Sequence, residues 1–111
     1  MAVIRVAKSD AFPVCGLAAW ALDNLVRDVK PDLPAGGGLE AAFARKEETK
    51  LEWLNLENVD DAEMATFAAV LRAYLRRLED QGSSALATPE AVPGYLAKIT
   101  QLLELVERRL A

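Results

Sequence analysis

The chain contains no histidine and a single cysteine, Cys15, so its reactive inventory is limited to carboxylates, lysines, hydroxyls and one thiol. Without imidazole there is no Ser-His or Cys-His nucleophile pair, no His-containing zinc site and no phosphohistidine carrier. One thiol per chain also excludes a multi-thiolate zinc site within it. Cys15 is expected in the first turn of a helix, where the dipole would lower a thiol pKa. The commoner fate of a lone cysteine is to fill a small buried space.

Four carboxylates, Glu57, Asp60, Asp61 and Glu63, carry enough charge for a divalent cation. They lack the glycine turn and the distant bidentate glutamate of an EF-hand loop. Capping and the helix dipole explain acidic residues at a helix start without a metal. The run Gly36, Gly37 and Gly38 lacks the GxxxxGK[ST] phosphate-loop pattern and reads as a flexible connection. Arg72, Arg76 and Arg77 suit the C-terminal end of a helix. No metal and no cofactor are expected.

Two kinds of site survive these exclusions. One is a small-ligand or carboxylate-enzyme pocket between helices and a hairpin, for which Arg45, Glu52 and Tyr74 are the polar candidates by expected proximity. The other is an apolar and aromatic surface. Trp20 falls nearly opposite the apolar stripe of its helix, beside Asp23 and Arg27, and exposed aromatics anchor protein interfaces. In a strand, Leu51 and Trp53 would face one way and Leu54 and Leu56 the other, leaving one apolar face for a partner. Leu105 lies off the main stripe of its helix and would join that contact.

The elements that must hold these residues are mostly helical. Residues 14–29 place Val14, Ala18, Ala21, Leu22, Leu25 and Val29 three or four apart, one stripe of a helix. Residues 60–80 repeat the pattern with Met64, Phe67, Ala68, Leu71, Tyr74, Leu75 and Leu78. Asp60 followed by Glu63 matches capping-box logic at its start, and Gly82 follows its end. Residues 90–110 form a third stripe through Val92, Leu96, Ile99, Leu103, Val106 and Leu110. Residues 2–7 read as a short strand or extended arm.

Between these helices, the loop at residues 30–38 has Pro31, Pro34 and the glycine run. The polar stretch 45–50 interrupts any apolar stripe running on to Leu56, which predicts a hairpin of 42–46 with 50–56. The fold class expected is mainly α: a small bundle of three amphipathic helices with a short β-hairpin, an all-α four-helix bundle being the alternative.

Length and composition bound the rest. A chain of 111 residues with 52% hydrophobic and 27% charged residues has the balance of one soluble globular domain, residues 1–111. A net charge of −4 opposes a nucleic-acid partner. No apolar run approaches a membrane span, and the broken early run does not read as a signal peptide. With one unpaired cysteine, the cytoplasm is the expected location.

The poor catalytic inventory and the two tryptophans together predict a non-enzymatic interaction or regulatory protein that acts as a homodimer through an apolar and aromatic surface, its partner being another protein or a second copy of itself. Its expected surface comprises Trp20, Trp53, Leu54, Leu56 and Leu105. An acidic immunity or antitoxin protein for a basic toxin falls within this class on charge alone.

Overall fold

The computed structural model describes all 111 residues, Met1–Ala111. Three strands, β1 (Ala2–Arg5), β2 (Cys15–Leu17) and β3 (Trp53–Asn55), accompany four helices: α1 (Ala19–Val29), α2 (Gly38–Thr49), α3 (Asp61–Gln81) and α4 (Val92–Leu110). The mainly α class with a short β element is what the chain adopts. No helix is long and apolar enough to cross a membrane.

Helix α3 forms where the periodicity places it. Asp60 caps it by accepting from the Glu63 amide at 2.8 Å, and Gly82 ends it with φ of 57°, a backbone conformation that favours glycine. Met64, Phe67, Ala68, Leu71, Tyr74 and Leu78 bury one face, largely against α4. In α4, Pro93 occupies the first turn, where a missing N–H is harmless, and a 3₁₀ turn over Pro89–Ala91 leads into it.

The sheet has the order β2-β1-β3. β1 runs antiparallel to β2, with Ala2 opposite Leu17 and Ile4 opposite Cys15. It runs parallel to β3, with Val3 opposite Trp53 and Arg5 opposite Asn55. Strand alternation sends Ala2, Ile4, Cys15, Leu17 and Leu54 into the core, and turns Val3, Arg5, Gly16, Trp53 and Asn55 to the other face.

Three expectations from the sequence are corrected here. The expected hairpin of 42–46 with 50–56 does not form: 42–46 lies inside α2, and β3 pairs with β1. A narrow buried face of Leu39 and Phe43, four apart, is enough to dock α2, so the polar run beyond Arg45 is simply its solvated end. Lys50, at φ 53°, stops it in the left-handed region. The helix expected from residue 14 starts instead at Ala19, because Cys15–Leu17 satisfies its backbone against β1. Cys15, Gly16 and Leu17 fit an in-out-in alternation as well as a helical stripe, and the neighbouring strand decides between them.

The third correction concerns the surface residues. Leu54 and Leu56 are wholly buried and Leu105 is 6% exposed. Leu54 lies on the core side of a sheet covered by helices. Helix α4 packs against β2 as well as α3, so its buried face is broader than a single stripe and takes in Leu105.

Glu63 does not close the capping box on its own helix. Its Oε2 accepts from the Gly38 amide at 2.9 Å and its Oε1 from the Leu39 amide at 3.4 Å, which caps α2 from across the fold. An added Cβ on Gly37 would fall 1.9 Å from Glu63 Oε1, so glycine there lets the carboxylate reach. Glu63→Ala is expected to lower stability by about 1–2 kcal/mol through two orphaned amides. Urea unfolding with an unchanged m-value checks this, and amide exchange at Gly38 and Leu39 should accelerate first.

Candidate protein-interaction site

The outer face of the sheet is polar at the Arg5–Asn55 end and apolar and largely uncovered at the end that carries Val3 and Trp53. Trp53 is 46% exposed and Leu51 53%, and half-buried Val3 neighbours Trp53 across the β1–β3 register. Met1 extends the patch to the third strand, since a Cβ on Gly16 would lie 2.5 Å from Met1 Cε. Its amino group pairs with Glu52 at 3.5 Å. An apolar strip therefore crosses all three strands. No aromatic ring or guanidinium of the chain stacks on Trp53.

Beside this strip, α2 and β3 bound a cleft of about 440 Å³. Trp53, Leu51, Ala41 and Ala42 give it apolar walls; Arg45, Lys46, Thr49, Asn55 and Asn58 supply its polar groups. Two cations and no carboxylate line it. Lys46 is held by Asp23 of α1, whereas exposed Arg45 makes no ion pair within the chain.

The three residues expected to share a ligand pocket are separated. Arg45 lines the α2–β3 cleft, Glu52 is exposed and paired with the amino terminus, and Tyr74 is buried and lines a second recess with Asp28, Arg77, Leu78 and Gln81. Proximity failed as a guide because it assumed the hairpin. With 42–46 in a helix, Arg45 and Glu52 no longer face each other across a turn.

Trp20 lies in a different setting. It is 49% exposed, but its ring stacks on Tyr95 of α4 with centroids 5.7 Å apart and planes at 29°. Behind that stack is a buried phenol pair. The Tyr74 hydroxyl donates to Asp28 Oδ2 at 2.8 Å, the two phenol oxygens are 2.7 Å apart, and Asn24 Nδ2 donates to the Tyr95 oxygen at 3.1 Å. Every buried side-chain polar atom is satisfied. Trp20 thus shields a polar network that ties α1, α3 and α4 together.

Burial pushes the Tyr74 phenol far above its ordinary range, helped by its hydrogen bonds to Tyr95 and Asp28. Burial also raises Tyr95, against the opposing hydrogen bonds of Tyr74 and Asn24. An unfolded phenol ionises near pH 10. Above that, the unfolded chain sheds protons that the folded chain retains. Stability is therefore intact below about pH 10 and falls above it, by up to about 2.7 kcal/mol per pH unit for two phenols. These are the only two tyrosines, so tyrosinate absorbance in an alkaline titration should rise together with loss of helical circular dichroism. A Tyr74→Phe, Tyr95→Phe chain should show a shallower loss over the same range.

The remaining reactive groups have structural partners. Asp60 and Glu63 cap helices, Asp61 pairs with Arg109 at 3.3 Å, and Glu57 pairs with Arg5 at 2.9 Å. The Glu57 carboxyl is held below its usual range by hydrogen bonds from the Asn55 amide and then from Arg5. Cys15 is buried in β2 rather than placed at a helix start, and burial raises its thiol pKa. That environment is the opposite of one that makes a reactive thiolate.

No family model matches the sequence, and no curated protein does. Among solved structures, a chain of the complex titled "CdiA-CT toxin from Burkholderia pseudomallei E479 in complex with cognate CdiI immunity protein" is similar over 100% of both chains, with a TM-score of 0.75 and 16% identity. At that identity the likeness is one of fold.

Proposed function

We propose that this chain is a non-enzymatic binding protein of the immunity type, which neutralises a toxin protein by covering part of its surface. The observation that carries this reading is the uncovered apolar strip of Met1, Val3, Leu51 and Trp53 across the outer sheet face. A large aromatic at the centre of an apolar patch is the usual anchor of a protein interface. The fold likeness to a chain of a toxin–immunity complex supports the same partner class. So does an inventory without histidine, in which the one thiol and the clustered carboxylates already have structural roles. A net charge of −4 favours a basic partner over a nucleic acid, and a lone buried thiol suits a reducing cytoplasm.

The test is a titration of the chain against purified toxin domains, beginning with the CdiA-CT domain of the similar complex. Light scattering would read the stoichiometry, and growth of cells co-expressing both proteins would read neutralisation. A 1:1 complex with restored growth is the expected result. A chain that binds none of them and dimerises on its own at high concentration would assign the sheet face to a homodimer instead.

A further inference from the structure

β3 is an edge strand, and its free side opens on the α2–β3 cleft. In the parallel ladder, Val3 N donates to Glu52 O at 2.9 Å and Leu56 N donates to Arg5 O at 2.8 Å. That pattern turns Glu52 O, the main-chain groups of Leu54 and Leu56 N toward β1, and those of Trp53 and Asn55 the other way. None of those four N–H and C=O groups has a partner in the chain. Trp53 and Asn55 both line the cleft. The cleft therefore offers two unpaired stretches of main chain, an aromatic wall, and the exposed guanidinium of Arg45, which makes no ion pair within the chain, beside a Lys46 already held by Asp23. Unpaired edge groups are the template for strand addition.

We propose that this edge receives an extended acidic segment of the partner protein as a fourth strand beside β3. This rests on the partner-binding reading above and names the chemistry by which the partner is held. The added strand pairs with the main chain of Trp53 and Asn55. Its side chains on one face lie against Trp53 and Leu51, and a carboxylate of the segment meets Arg45, the cleft cation that has no partner in the chain. The occupant is acidic locally even though the chain is acidic overall, because the one unneutralised charge in the lining of this cleft is the Arg45 guanidinium.

The experiment uses the ¹⁵N-labelled full chain and two synthetic peptides, Glu-Val-Glu-Thr-Glu-Val and its counterpart with lysine at every glutamate. The acidic peptide should shift the amide resonances of Trp53 and Asn55 and slow their exchange at least about tenfold. The lysine peptide should leave both unchanged. Arg45→Glu, an exposed position, should weaken the acidic peptide at least about fivefold without altering the rest of the spectrum.

Strand addition is overturned if neither amide responds to the acidic peptide at millimolar concentration, if both peptides act equally, or if the responding amides lie elsewhere. It is also overturned if the two amides become protected with rising protein concentration alone, which would mean pairing with a second copy. A toxin complex in which Trp53 and Asn55 exchange as in the free chain would overturn strand addition and leave partner binding standing. A response to the acidic peptide with no toxin complex would do the reverse.

Discussion

An Arg109→Ala chain is expected to lose about 3 kcal/mol of stability. Arg109 reaches from the last turn of α4 to the end of the sheet. Its Nη1 donates to Val6 O at 2.8 Å and to Leu56 O at 3.0 Å, and its Nη2 donates to Val59 O. The side chain is only 13% exposed, so truncation takes a donor from the Val6 and Val59 carbonyls where water has poor access, while the Leu56 carbonyl keeps the Val59 amide. Hydrogen bonds from a charged donor each contribute about 1.5–3 kcal/mol and are not additive within one group.

The pair with Asp61 is a minor part of this, since Asp61 is 76% exposed and such pairs contribute under about 1 kcal/mol. Urea unfolding of Arg109→Ala and Asp61→Ala side by side separates the two contributions. Equal small losses in both variants would show that the carbonyl clamp does not hold the sheet to α4. Arg109→Lys should recover little, because an ammonium cannot span three carbonyls with the fork of a guanidinium.

Trp53→Ala is expected to weaken partner binding by about 2–4 kcal/mol, roughly 30- to 1000-fold, while changing folding stability by less than about 1 kcal/mol. The asymmetry follows from position. Trp53 is on the solvent side of an edge strand, about half-exposed, with no ring of its own chain against it. Its exposed surface is gained only when a partner covers it. Trp20→Ala should behave oppositely, costing stability more than binding, because its ring already covers Tyr95 and the phenol pair behind it. Calorimetric titration of both variants with the bound partner, beside their thermal melts, measures both effects. Trp53→Ala binding as tightly as wild type would remove the sheet face from the interface.

Much of the helical framework was legible in the sequence because helices declare themselves locally. In α3 the three- and four-residue spacing from Met64 to Leu78, the Asp60 cap and Gly82 all point one way, and the structure follows them. α2 does not declare itself in the sequence, because only Leu39 and Phe43 of it are buried, too few apolar positions to register as a stripe. The parallel pairing of β1 with β3 joins residues some fifty positions apart, and no local pattern announces such a partner. Leu105 shows the same limit in a helix, since it is buried on an α4 that packs against β2 as well as α3, and no local pattern announces the second neighbour.

The candidate site divides along similar lines. Trp53 stands out in the sequence by type and by its place among leucines, and its exposure is retained in the structure. The edge cleft was not legible, because it exists only once α2 lies beside β3. Glu63 was readable as a capping residue but not as the cap of a different helix.

What the sequence determined by itself was therefore composition and local pattern: no imidazole chemistry, a mainly helical chain, and an aromatic residue with no evident place in a helical core. Those properties depend on residue type and on spacing within one or two turns. What only the tertiary structure decided was which apolar side chains are covered, which strand lies at the edge, and which backbone groups remain unpaired. Burial and pairing are relations between distant segments, set by how the helices close over one face of the sheet and leave part of the other open.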